Sequence, residues 1–413
     1  MGRELVLHDI GGVGIPFQPH CDLRNDMKFL HTADLHLGKI FHEQSLLDDQ
    51  AFMLDTLRDL LRDKSFQALV IAGDVYDRSI PPPDAVKLFS LFLGKLKKER
   101  PDLEVFLISG NHDSASRLSF GRELFAELGV FFITDPEDAD KPIVIGEERE
   151  RTAFFLLPFL NPGSLKGEDE DQTPLRSQSR LAETAAKRLE KARFAAREAG
   201  AQHTILVAHL FAAGGLASDS ERTFLGNAEC TDIGLFAGFD YVALGHLHRC
   251  QAVGTNVYYS GSPLAYSFSE ATHEKVFLSV ALSGERLVVE KIFIDPLRKM
   301  SRITGAFDDF KGELSDEIKA KRDDYLEVIL TDKCFVDNPL FLLRQQFPHL
   351  LSIRQEEAMK AHVRESGSHL RFIDFDAKRN IADDFADFLF DIYGEINGEE
   401  IALFQSLLVE ENP

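Results

Sequence analysis

Five short stretches carry Asp, Asn and His in combinations that can bind metal ions. They are Asp34-x-His36; Gly73-Asp74-Val-Tyr-Asp77; Gly110-Asn111-His112-Asp113; His209; and Gly245-His246-Leu-His248. Each follows an apolar, β-rich run: FLHT, ALVIA, VFLIS, TILVA and YVAL. Each therefore falls where a strand is expected to leave its sheet. Carboxylate, amide oxygen and several imidazoles make a mixed nitrogen and oxygen ligand set. That set suits Mn, Fe or Zn better than the oxygen-only sites of Mg or Ca. No thiolate accompanies it, which disfavours a structural zinc site. Two divalent cations about 3.5–4 Å apart repel one another, and a bridging carboxylate offsets the repulsion. Asp74 is the best candidate bridge. In an extended segment residues i and i+2 point the same way, so Asp34 and His36 are expected to converge from extended backbone.

Taken singly, most of these stretches have a plainer reading. A lone Asp-x-His is more often a surface pair. Gly-Asp after a strand is commonly a turn, and His209 alone would be a buried, hydrogen-bonded histidine. Gly-Asn-His-Asp divides evenly between turn and ligands, and Gly-His-x-His favours ligands. Five such stretches in one chain, each after a strand, favour the metal reading.

The elements that must position them alternate. Strand-like runs fall at Phe29–Thr32, Ala68–Ala72, Val105–Ser109 and Ala153–Leu157. They resume at Thr204–Ala208, Tyr241–Leu244 and Val257–Ser260. Helical patterns lie at Gln44–Asp63, Asp84–Arg100 with Asp84 as N-cap, Ser114–Leu128 and Arg180–Gly200. Strands alternating with helices imply βαβ connections and a sheet covered on both faces. In such folds chemistry gathers beyond the carboxyl ends of the strands. Lys275–Leu282 and Arg286–Ile294 form a hairpin around Ser283-Gly284.

Asp295-Pro296 reads as a domain boundary. Beyond it Lys299–Gly305, Tyr325–Thr331 and Leu350–Gln355 are strand-like, while Asp308–Lys321 and Asn338–Phe347 are helical, giving a small α+β domain. The expected division is 1–26, an upstream-start or added arm; 27–296, the main domain; 297–364, the small domain; and 365–413, a linker with two apolar-faced helices. Asn161–Ser179, with its acidic Glu168-Asp-Glu-Asp171 run, is expected to be an exposed loop.

At 413 residues the chain exceeds a single hydrophobic core. Its 44% hydrophobic and 28% charged residues are those of a soluble globular protein. No stretch approaches a membrane span, and the start lacks the pattern of a secretory signal. Four scattered cysteines without a CxxC pair suggest free thiols and a cytoplasmic location. The net charge of −22 argues against a general polyanion binder. Affinity for nucleic acid would have to come from bound cations, local basic patches or a partner.

The ordered set DxH, GDxxD, GNHD, H, GHxH resembles that of the calcineurin-like metallophosphoesterases. The runs Met27–Gly38, Val207-Ala-His-Leu210 and Tyr259-Ser-Gly-Ser-Pro263 narrow the resemblance to that family's DNA-nuclease subunits. The likeness is strong from about Met27 to Ile294 and loose beyond. It implies a β-sandwich core flanked by helices, in an α/β chain with a capping domain and C-terminal helices. It places Asp34, His36, Asp74 and His248 on one metal, and Asp74, Asn111, His209 and His246 on the other. His112 then contacts the scissile phosphate or protonates the leaving oxygen, and Asp77 orients it. Two cations would neutralise the phosphate oxygens and activate a water.

Further implications of the resemblance are two divalent ions, with Mn²⁺ the activating one, and 3′→5′ exonuclease action on duplex DNA. Endonuclease action on single strands or hairpins is implied too, in DNA replication, repair and recombination. The implied partners are DNA, a second copy of the chain and an ABC-type ATPase, as a heterotetramer without a membrane. The dimer would use apolar residues that exceed one buried face: Val86, Phe89, Phe92, Leu93, Leu96, Leu118, Leu124 and Phe125. Ordinary core is the alternative. The ATPase would dock on the tail around Phe385, Phe388, Leu389, Ile392, Ile401, Phe404 and Leu407, which could instead pack on the chain's own surface. The basic run Lys95–Arg100 reads as a solvated helix end before a DNA contact. The rival functions are a phosphatase acting on small molecules or proteins, and a non-catalytic scaffold.

Overall fold

In a computed structural model, the described residues are 27–147, 151–167, 173–218 and 230–359, with Phe385, Leu389, Gly398, Ile401, Leu403 and Phe404. The arm Met1–Asp26, the acidic run Glu168–Asp171 and the linker Arg364–His369 lie outside them, as does most of the tail.

The order of elements is β1 (Met27–Thr32), β2 (Ile40–Phe41), β3 (Gln44–Ser45), α1 (Leu47–Leu60), β4 (Ala68–Ile71), α2 (Pro83–Glu99) and β5 (Glu104–Ile108). Next come α3 (Ala115–Leu118), α4 (Arg122–Ala126), β6 (Val130–Ile133), β7 (Ile143–Ile145), β8 (Thr152–Leu157), α5 (Gln178–Glu198) and β9 (His203–His209). After β10 (Tyr241–Gly245), β11 (Gln251–Ala252) and β12 (Val257–Tyr259), the hairpin β13 (Val276–Ser283) and β14 (Arg286–Phe293) closes the core. Two six-stranded sheets result, ordered β14-β13-β1-β4-β5-β6 and β11-β12-β10-β9-β8-β7.

Alternation along the strands explains why the sheets pack on each other. In β1, Phe29 joins the layer between the sheets with Phe106, Phe154, Ile205 and Tyr241. Its neighbour Leu30 faces the opposite way, into a core with Met53, Leu57, Phe89 and Leu96 of α1 and α2. In the second sheet Phe154 faces inward, while Phe155 packs with Leu181 and Leu189 of α5. The Phe106 and Phe154 rings stack 4.1 Å apart, and Phe29 meets Tyr241 edge-on at 5.5 Å. Burying each such side chain contributes about 1.5–3 kcal/mol. Each sheet is thus covered on both faces, by helices on one and by the other sheet on the other, as a β-sandwich flanked by helices requires.

Two helices depart from their expected form. Ser114–Leu128 is split into α3 and α4 at Gly121, whose φ of 72° no helix accommodates. Asp84 is not the N-cap of α2, because the helix already begins at Pro83, with Pro82 before it. At the far end of α2 the basic run divides: Lys95 and Lys98 are exposed, while Arg100 turns inward. The buried Arg100 donates to the carbonyls of Leu61, Asp63 and Phe66 at 2.6–2.8 Å, and Lys97 donates to those of Pro101 and Leu103. Its last cationic residue therefore clasps the turns around α1 and α2.

The expected small domain contains a parallel three-stranded sheet: β15 (Met300–Gly305), β16 (Tyr325–Leu330) and β17 (Leu350–Arg354). It has its own apolar cluster around Phe310, Leu326, Val328 and Phe347. It also belongs to the same compact unit as the two large sheets. Asp49 in the first turn of α1 holds it there, accepting from Tyr325 Oη at 2.7 Å and from Arg298 at 3.1 Å. A second unit comprises Lys333–Phe335 and the residues from Glu357 onward. Within it Phe385 stacks on Phe404, with ring centroids 4.0 Å apart.

Candidate metal centre

β1, β4 and β5 run parallel in one sheet and β9 and β10 run parallel in the other, and bonds between their ends, such as His209 Nδ1 to Ala72 O, place both sets on the same side. Their terminal loops meet there, and the five stretches meet with them. Asp34 and His246 are 212 positions apart, yet the His246 main-chain N–H donates to both Asp34 carboxylate oxygens, at 3.0 and 3.1 Å. Asp34, Asp74, His36, His209 and His248 are all buried.

The backbone that aims these groups is not extended. Asp34, His36, Asp74 and His246 all have positive φ, at 53°, 42°, 48° and 106°. This corrects the expectation that strand alternation brings Asp34 and His36 together. Such conformations cost about 1–3 kcal/mol each and persist only where the surroundings over-determine them. Here main-chain bonds do so: Asp34 N to Gly73 O at 3.0 Å, His36 N to Asp74 O at 3.0 Å and Leu37 N to Val75 O at 2.9 Å. The loops also need close approach. A Cβ on Gly110 would lie 2.1 Å from Asp74 Oδ1, and one on Gly245 would lie 1.9 Å from Ala72 O.

Two imidazoles, those of His209 and His248, share one arrangement. One ring nitrogen is tied outward and the other points at the centre. His209 Nδ1 donates to Ala72 O at 2.8 Å, while its Nε2 lies 3.1 Å from Asn111 Oδ1 and 3.4 Å from Asp74 Oδ2. His248 Nδ1 lies 3.2 Å from Glu270 Oε1, and its Nε2 lies 3.1 Å from His36 Nε2. His36 Nδ1 faces Asp77 Oδ1 at 3.5 Å. His246 Nδ1 lies 2.9 Å from Asn111 Oδ1. Imidazoles held from behind with the other nitrogen facing inward are what metal ligation requires. The ligand atoms of Asp34, His36 and His248 lie within 4.8 Å of one another, as do those of Asp34, Asp74 and His209. The residues present therefore fit a pair of cations.

The electrostatics agree. Burial pushes the Asp34 carboxyl up to about 7, against the pull of His209 and His248. Burial acts on Asp74 too, but His209, His36 and His112 overcome it and hold that carboxyl well below the usual range. Burial works against a charge on His209, yet Asp74 and Asp34 hold its pKa at about 9. Burial lowers His36 to about 4 and His246 to about 3. Metal-free, the cluster keeps a proton on His209 near neutral pH. A bound cation would displace it.

His112 sits at the rim, its ring centroid 4.8 Å from that of His36. Its Nδ1 donates to the Asp77 main-chain carbonyl at 2.9 Å. Asp77 thus meets the His112 ring through its main-chain carbonyl at this atom. The Asp77 carboxylate instead lies 2.9 Å from Lys39 Nζ.

Sequence reasoning gave no role to three residues that hold these loops. Gln50 of α1 accepts from Gly38 N at 2.9 Å and donates to His36 O at 2.7 Å. Asp113 accepts from the main-chain N–H groups of Val75, Tyr76 and Gly110 at 2.9–3.1 Å. Glu270, fully buried, stands behind His248. Asp113 was visible within the Gly-Asn-His-Asp stretch. Gln50 and Glu270 carry no local signal.

This chain belongs to the calcineurin-like phosphoesterase family, which matches residues 27–250. It is also 31% identical over 390 residues to SbcD, a component of the SbcCD nuclease of Staphylococcus saprophyticus, covering 93% of this chain and 97% of that protein. Among solved structures, a dimetal phosphatase from Danio rerio is 14% identical, with a TM-score of 0.42 over 66% of this chain and 98% of that one. Calcineurin-like phosphoesterase YfkN from Bacillus subtilis is 11% identical, with a TM-score of 0.35 over 66% of this chain and 93% of that one.

Proposed function

We propose that the chain is the nuclease component of an SbcCD-type complex, a two-metal hydrolase of DNA phosphodiesters. The carrying observation is the convergence of Asp34, His36, Asp74, Asn111, His209, His246 and His248 at the ends of two sheets. Asp34, His36, Asp74 and His248 would hold one cation; Asp74, Asn111, His209 and His246 would hold the other. Manganese is the proposed ion. Bound there, the pair would neutralise charge on the phosphate and supply an activated water. His112 would protonate the leaving sugar oxygen through Nε2, its Nδ1–H being fixed on the Asp77 carbonyl.

The partners are duplex ends and hairpins of DNA, and an SbcC-type ATPase that supplies affinity this acidic chain lacks. The expected dimer face is only partly free. Phe89, Phe92, Leu93, Leu96 and Leu118 are core, whereas Val86, Phe120 and Leu124 are exposed. These exposed residues support a homodimer, and with two ATPase chains a heterotetramer. Among the described residues no helix is long and apolar enough to cross a membrane. The described cysteines Cys230, Cys250 and Cys334 are free, in keeping with a cytoplasmic setting.

The purified chain with Mn²⁺ should cleave a labelled DNA hairpin. Turnover of p-nitrophenyl phosphate with no cut in the hairpin would assign it to the monoester phosphatases instead.

A further inference from the structure

The run Tyr259-Ser-Gly-Ser-Pro263 has no ligand among its residues, yet it is pressed against one. Gly261 has φ 76°, and a Cβ there would lie 2.6 Å from His248 O. Ser262 N donates to that same carbonyl at 3.2 Å. The Ser262 hydroxyl accepts from Lys275 Nζ at 2.8 Å, and Lys275 also donates to His248 O at 3.2 Å. The third bond of the Lys275 ammonium goes to Glu270 Oε2 at 2.6 Å. The other oxygen of Glu270 lies 3.2 Å from His248 Nδ1 and accepts from Ser267 Oγ at 3.1 Å. Glu270 is fully buried and Lys275 is 8% exposed.

We propose that Glu270, fixed by Lys275 and Ser262, is the positioning residue that makes His248 a metal ligand through Nε2. A neutral imidazole has one donor and one acceptor. With Nδ1–H committed to the carboxylate, the lone pair sits on Nε2, the nitrogen that faces His36 Nε2 at 3.1 Å. A carboxylate behind a ligating imidazole also raises its basicity and fixes the ring plane. A buried ion pair is costly to maintain and is weak evidence of a purely stabilising role. This one reaches a candidate ligand through both the ring and the carbonyl of His248, a use that packing alone does not require. The inference rests on the two-metal reading and adds how one of the two ions is held.

The test is calorimetric titration of Mn²⁺ into the full-length chain, wild type against Glu270→Gln. The amide keeps the shape but offers a donor or a weaker acceptor to Nδ1. Wild type should bind two ions, and the variant should lose about 10–100-fold in affinity at one of them. The other ion should keep its affinity. Because Glu270→Gln leaves Lys275 buried without its carboxylate, the double variant Glu270→Gln/Lys275→Met removes both charges together and should show the same selective loss. Two ions bound with wild-type affinity by a folded variant would overturn the inference and leave the two-metal reading intact. Failure of the wild type to bind two ions would overturn the reading itself.

Discussion

Replacing Asp74 with alanine should empty both metal positions and lower DNA cleavage by at least about 10³-fold, the scale of losing a fixed charge-stabilising group. The reason is its position. Asp74 Oδ2 lies 3.4 Å from His209 and 3.8 Å from His36, so one carboxylate faces ligands of both proposed ions. Its Oδ1 accepts from His112 N at 2.9 Å, which sets the angle of the group. Removal also takes away the carboxylate that chiefly holds the His209 pKa at about 9. Asp74→Asn separates charge from shape: it should keep the fold and still lose metal. Elemental analysis after gel filtration is the check. Two ions per chain retained by the alanine variant would show that Asp74 bridges nothing.

His112→Ala should act differently, with full metal occupancy and cleavage slower by about 10²–10⁴-fold. Alanine retains the main-chain N–H that holds Asp74 Oδ1, so the carboxylate stays in place. What is lost is the ring whose Nδ1 rests on the Asp77 carbonyl. The loss should shrink on a substrate whose leaving group needs no proton, such as a p-nitrophenyl phosphodiester. Unchanged hairpin cleavage by a purified variant would assign the activity to a contaminant and the chain to a scaffold.

The strands were legible because apolar runs ended by Asp, Gly or His bound them on both sides. β6 and β7 were not, being three or four residues long with little alternation to read. The break between α3 and α4 turns on one glycine, which a helical pattern of apolar residues overrides on paper but not in backbone geometry. At the centre the five stretches lie together, yet alternation named the wrong backbone. Left-handed φ at Asp34, His36, Asp74 and His246 is imposed by bonds between loops, and no local spacing encodes those. Gln50 and Glu270 escaped for a related reason. Each is an ordinary polar residue whose role exists only once distant loops are folded against it.

Anomalous diffraction at the manganese edge, from crystals of the chain grown with Mn²⁺, tests the centre most directly. Two peaks should appear about 3.5–4 Å apart on either side of the Asp74 carboxylate, one beside His36 and His248, the other beside His209 and His246. A single peak, or none between the ends of the two sheets, would contradict the account.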